Sequence, residues 1–241
     1  MLKTKTLVTI VVLLLLCSTM YLCFANSAEP PSILIIAPNA PKDLEVSIEW
    51  DKSTHKLKDF RKTDKIIETY YEIFLGNLTT YGDYILTFET ESDSFDIQLN
   101  KPLHGYNNIY TLDLGSRTLT EGKLLSRSIF LISMRVSLTL IIEALVFYII
   151  GFRNKKSWIA FLILNLLTQG ALNIGINNFS PTQGYILIGL IFGEILIFIF
   201  EIAVFLIFVK EHNKLRTIIY VLTANMLSLI AGGYIITILP I

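Results

Sequence analysis

The chain has 241 residues, 53% of them hydrophobic, with 20 Lys and Arg against 20 Asp and Glu and a mean hydropathy of +0.59. It is too apolar for a soluble domain and too charged in its first half for a pure membrane bundle, so two regions in series are expected. Residues 26–128 carry 11 Lys/Arg against 16 Asp/Glu, a net of −5, while residues 129–241 carry 7 against 4, a net of +3. An acidic soluble domain followed by a membrane domain with basic loops fits this split, and an acidic domain facing away from the cytoplasm excludes nucleic-acid binding.

At the N-terminus, Lys3 and Lys5 precede an apolar run from Leu7 to Leu16 that continues to Phe24. Residues 1–25 read as a signal peptide, cut after Ala25 or Ser27 by the small-residue rule. An uncleaved signal anchor is the alternative, because the run approaches the ~20 residues that span a bilayer. The only cysteines, Cys17 and Cys23, lie inside this segment. A mature chain without them has no disulfide, thiolate metal site or cysteine nucleophile.

Residues 26–119 are expected to form the exported domain, and from Ser32 to Leu114 the dominant period is two. Leu44, Val46, Ile48 and Trp50 interleave with Glu45, Ser47, Glu49 and Asp51, and Phe95, Ile97 and Leu99 with Asp96, Gln98 and Asn100. Such segments are strands with one wet face. Further runs at 33–37, 66–75, 84–90 and 109–114 bring the count to about six. Turn chemistry such as Ala37-Pro38-Asn39-Ala40-Pro41 and Glu91-Ser92-Asp93-Ser94 separates them. That count and spacing predict an exported β-sandwich, with residues 120–128 as a juxtamembrane linker. Tyr70, Tyr81 and Tyr106 either line a ligand face or pack in the core, the second being the commoner arrangement. His55 and His104 have no acidic or His residue at ligand spacing, so neither suggests a metal site.

Four stretches, 129–152, 158–176, 185–209 and 217–239, are long enough to span a membrane. Arg153, Lys155 and Lys156 follow the first, and Lys210, Lys214 and Arg216 follow the third, whereas residues 177–184 and the C-terminus are uncharged. The positive-inside rule puts the basic loops in the cytoplasm. Loop 177–184, the C-terminus and the β domain are then extracytoplasmic, in a multi-pass plasma-membrane protein. The fold class expected is α+β: a β-sandwich followed by a four-helix transmembrane bundle of residues 129–241.

One pattern occurs twice in that bundle. Glu143-x-x-Val146-Phe147, a basic loop and Asn165-x-x-Thr168 are followed by Glu201-x-x-Val204-Phe205, a second basic loop and Asn225-x-x-Ser228. Each copy is one helical hairpin, and both run in the same direction, as in parallel repeats of transporter folds. A carboxyl or amide in a lipid-spanning helix costs several kcal/mol unless it finds a partner. Helical rise places Glu143 level with Asn165 and Glu201 level with Asn225, so a Glu–Asn hydrogen bond within each hairpin is expected. Asn165, Gln169 and Asn173 form a stripe that must face protein. In the outer half of the membrane Arg135 and Glu194 fall at similar depth and are candidates to pair.

These polar candidates suit interhelical hydrogen bonding, a pathway for protons or ions, or assembly with a partner's helices. Catalysis finds no support: the helices hold no His or Cys, and the chain shows no H-E-x-x-H, G-x-S-x-G or Walker A pattern. Glu194 and Glu201, seven apart on one helix face, have no nucleophile or metal ligand beside them. Gly232-Gly233 reads as a point of close helix packing. No cofactor is implied, and the partners expected are the bilayer and either another membrane protein or a second copy of this chain.

Leu78-x-x-Tyr81-Gly82-Asp83-Tyr84 with Leu86 and Phe88 resembles the corner before the penultimate strand of immunoglobulin-like domains, without their paired cysteines. In layout the chain resembles multi-pass membrane proteins of low-GC Gram-positive bacteria that place a β-rich extracytoplasmic domain before a small helical bundle. That resemblance implies class and location and no activity. The expectation is a non-enzymatic accessory, sensing or assembly component, with a small proton- or ion-coupled carrier using Glu143, Glu194 and Glu201 as the alternative.

Overall fold

The computed structural model describes residues 32–50, 60–74, 84–99, 103, 107–182 and 185–240. Residues 1–25, expected as a signal segment, and His55, Tyr81, His104 and Tyr106 lie outside the described residues. Among the described residues eight strands precede four helices: β1 (Ser32–Pro38), β2 (Glu45–Trp50), β3 (Arg61–Asp64), β4 (Glu68–Phe74), β5 (Tyr84–Glu89), β6 (Ser94–Leu99), β7 (Asn107–Asp113) and β8 (Thr118–Glu121), then α1 (Leu125–Ile149), α2 (Lys155–Asn177), α3 (Ile186–Phe208) and α4 (Lys214–Ile238). The class is α+β. The chain divides into two compact units, one of Glu29–Ser133 with Phe179–Gly184 and Tyr234–Ile241, the other of Met134–Asn178 and Tyr185–Gly233.

In the first unit the strands form a five-stranded sheet, ordered β3-β4-β1-β7-β8, and a three-stranded sheet, β2-β5-β6. Only β1 and β7 pair in parallel among the described strands. Ile33, Ile35 and Ala37 of β1 and Ile73 of β4 share one core with Val46 and Ile48 of β2 and Leu86 and Phe88 of β5. The two sheets therefore face each other across the apolar side chains that alternate along each strand. Turn residues close the hairpins. Asp113 Oδ1 accepts from the N–H groups of Gly115 and Ser116 at 2.9 and 3.2 Å, and Thr90 and Asp93 bracket the β5–β6 turn.

Two expectations from the sequence require correction here. The strands number eight because β3 and β8 are four-residue, largely polar edges whose side chains carry no apolar alternation. β8 runs to Glu121 and α1 starts at Leu125. The β1 and β4 strands also depart from a one-wet-face pattern, being buried on both sides. Leu34, Ile36 and Tyr70 form a second apolar cluster on the far face of the large sheet. Polar side chains buried on that face are matched within the unit. Arg127 Nε donates to Glu68 Oε2 at 2.8 Å while its Nη2 pairs with Oε1, and the Tyr70 hydroxyl donates to Glu68 Oε1 at 2.5 Å. Thr182 Oγ1 donates to Glu72 at 2.7 Å, and Lys65 Nζ to the Thr237 carbonyl at 2.7 Å. Tyr70 is thus a buried hydrogen-bonded group and not part of an exposed ligand face.

The four helices are each long and apolar enough to cross a membrane. Their burial is inverted relative to a soluble bundle: Glu143, Asn165, Glu201 and Asn225 are fully buried, whereas Ile149, Leu167 and Phe192 are 77%, 66% and 65% exposed. Water would reverse that distribution; a lipid environment stabilises it. At Gly193 the helices come so close that a β-carbon would overlap the Leu172 side chain, while β-carbons at Gly232 and Gly233 would meet nothing within 4 Å. The close approach is therefore at Gly193 and not at the Gly232-Gly233 pair.

Candidate functional site

The helix ends fix the register of the polar side chains. Gly151, at φ 100°, closes α1 with its N–H on the Tyr148 carbonyl and that of Phe152 on the Phe147 carbonyl, a left-handed C-cap. Asn154 caps α2 through the Lys156 N–H at 3.0 Å, and Asn213 caps α4 through the Arg216 N–H at 2.8 Å. The two basic loops are clasped together. Glu211 Oε1 accepts from the backbone N–H groups of Arg153 and Asn154 at 2.6 and 2.9 Å, Arg216 Nε donates to the Ile150 carbonyl at 2.7 Å, and the His212 ring lies 4.7 Å from that of Phe152.

Above this clasp lies an aromatic layer centred on Phe147. Its ring stacks on Phe152 at 4.2 Å and Phe161 at 5.0 Å and meets Trp158, Tyr220 and Phe205 edge-on or tilted at 5.1, 4.8 and 6.1 Å. One turn further along the helices the carboxyls begin. Glu201 Oε1 accepts from the Thr168 hydroxyl at 2.7 Å and Oε2 from Asn225 Nδ2 at 2.7 Å; Glu143 Oε1 accepts from the Ser228 hydroxyl at 3.1 Å. Thr168 and Ser228 hold matching places in the repeated pattern. Each donates to the glutamate of the opposite hairpin, so the repeat cross-links itself reciprocally.

The expected Glu–Asn bond is made in the second hairpin and not in the first. Asn165 instead turns its Nδ2 to the Phe161 carbonyl of its own helix at 2.9 Å. Its Oδ1, with Glu143 Oε2, Glu194 Oε2 and Asn225 Oδ1, is buried without a hydrogen-bond partner among the described residues. Glu143 lies within electrostatic reach of both Glu201 and Glu194. The Gln169 amide and the Tyr220 hydroxyl approach Glu194 and Asn165 respectively without completing a close hydrogen bond. Gln169, Asn173 and Arg135 are all buried.

The site thus joins six of the eight sequence candidates, Glu143, Asn165, Gln169, Glu194, Glu201 and Asn225, in one neighbourhood, with Asn173 and Arg135 buried further along. Two contributors are prefigured in the repeat, Thr168 and Ser228. Tyr220 is not: an aromatic residue near a helix start carries no signal that its hydroxyl will face carboxyls. Chemically the set is carboxyl, amide and hydroxyl groups. Among the described residues no three His, Cys, Asp or Glu side chains are grouped to hold a metal ion. No protein-family model matches the chain, and no curated protein is found similar to it.

Proposed function

We propose that this chain is a non-enzymatic component of the plasma membrane, serving in sensing or assembly, with its β domain and C-terminus extracytoplasmic. The observation that supports this most is the reciprocal Thr168–Glu201 and Ser228–Glu143 hydrogen bonding. Intramembrane polar groups here tie one helical hairpin to the other, as expected of a domain that must hold a fixed shape. The matching caps Asn154 and Asn213, at the starts of α2 and α4, favour reading the hairpins as parallel copies of one unit. Isolation of the full chain in mild detergent tests the proposal. A stoichiometric membrane-protein partner is the expected result, and a homo-oligomer that carries solute or ions would overturn it.

One observation favours the carrier as a second reading. Interhelical contacts satisfy the groups they join, yet four carboxyl and amide oxygens in this layer have no hydrogen-bond partner among the described residues, against two such donors, Gln169 Nε2 and the Tyr220 hydroxyl. A Glu143→Gln, Glu194→Gln, Glu201→Gln triple variant reconstituted in vesicles separates the readings, since an amide cannot exchange a proton. The carrier requires ion or proton flux in the wild type that the variant lacks.

A further inference from the structure

The unpartnered atoms in the carboxyl layer are unequal in kind. Four of them, Glu143 Oε2, Glu194 Oε2, Asn165 Oδ1 and Asn225 Oδ1, are acceptors on residues no more than 3% exposed, against two donors, Gln169 Nε2 and the Tyr220 hydroxyl. An excess of buried acceptors calls for a bound donor. A metal cation would supply one by drawing oxygens into a converging shell at about 2.0–2.6 Å. Among the described residues no three carboxyl, His or Cys side chains are grouped to hold a metal ion, and both Glu201 oxygens are already engaged by Thr168 and Asn225. A proton requires no convergence. Added to Glu143 or Glu194 it converts an orphan acceptor into an O–H donor, and the amide oxygens of Asn165 and Asn225 provide acceptors in the same layer.

We propose that Glu143 and Glu194 form a proton-binding site anchored by Glu201, and that it exchanges protons only toward the Asn178 end of the helices. This deepens the carrier reading and rests on it for the role of the carboxyls. The direction follows from what lies on either side. Toward Asn178 the lane continues through Gln169, Glu194, Asn173 and Arg135, all buried polar side chains. Toward the basic loops it ends at the packed rings of Phe147, Phe161, Phe205 and Tyr220. The ionisable groups that face the layer are Glu143 and, further along, Arg135 from α1, Glu194 and Glu201 from α3 and Tyr220 from α4; α2 contributes only neutral groups, Asn165, Thr168, Gln169 and Asn173.

Dicyclohexylcarbodiimide tests this on the full chain in vesicles. It adds across a protonated carboxyl in an apolar setting and rearranges to a stable acylurea with every atom retained, so peptide mass mapping reads the protonated sites directly. Labelling of wild-type Glu143 or Glu194 is expected, falling about tenfold per pH unit above its midpoint, indifferent to added Na⁺, K⁺ or Ca²⁺, and following the pH of the compartment that faces Asn178. Each mark should vanish in the matching Glu→Gln variant, and the wild-type pH series stands alone if a variant does not fold. Protection by one of those cations at fixed pH would overturn the proton site while leaving an ion-coupled carrier standing. Labelling that follows the opposite compartment, or no labelling at any pH, would also overturn it. Labelling as described without proton flux supports the site and removes the carrier.

Discussion

At the scale of single residues, Glu201 is the member of the polar layer with both oxygens engaged. Replacing it with Gln keeps one acceptor for Thr168 or Asn225, whereas Leu removes both interhelical bonds and leaves each donor only the carbonyls of its own helix. Glu201→Leu should therefore destabilise the purified protein by about 1–2 kcal/mol more than Glu201→Gln, the upper range for such bonds in membranes. Denaturant unfolding in detergent reads the difference, and equal stabilities would mean that the two bonds contribute nothing. Glu211 gives a pH signature. Burial pushes its carboxyl up, but the N–H of Arg153, the Ser157 hydroxyl, the N–H of Asn154 and the charge of His212 outweigh that and hold it below the usual range. A depressed carboxyl stabilises the fold above its unfolded-state value, and that contribution is lost as pH falls through the folded-state value. The melting temperature should accordingly drop on mild acidification in the wild type and drop less in Glu211→Gln.

Between elements, the contact of α2 with α3 is the tight one. A methyl at Gly193 must displace Leu172, so Gly193→Ala is expected to cost about 1–3 kcal/mol through overpacking. Gly232→Ala and Gly233→Ala meet open space and should be neutral or stabilising by up to about 1 kcal/mol, because Ala is the better helix former. Thermal stability of the three variants in one detergent checks the order, and a costly Gly232→Ala would restore that pair as a packing site. The strands show a related point. Alternation marks β6, whose outer face is wet, but β1 reads as a continuous apolar run because it is buried on both faces.

For the whole molecule, the testable quantity is orientation. Charge asymmetry between the loops predicts Lys155 and Lys214 inside and Asn178 and Ile241 outside. Single cysteines at these positions, in a background lacking Cys17 and Cys23, should react with an impermeant thiol reagent in intact cells only at Asn178→Cys and Ile241→Cys. Labelling at Lys155→Cys would invert the arrangement, and with it the side from which the carboxyl layer exchanges protons.

The sequence by itself determined the division into a β-rich and a helical region, six of the strands, the four helices and the set of polar residues in them, because hydrophobic periodicity and the cost of burying charge in lipid are local properties that survive without coordinates. Depth along a helix was legible too, since rise per residue is constant. What only the tertiary structure decided was partnership. Glu143 bonds Ser228 and not Asn165, and Thr168 reaches across to Glu201, because a side chain's partner depends on the rotation and separation of the helices that face it. The short edge strands β3 and β8, the role of Gly193 and the place of Tyr220 beside the carboxyls were hidden for the same reason: each depends on a neighbour distant in the chain.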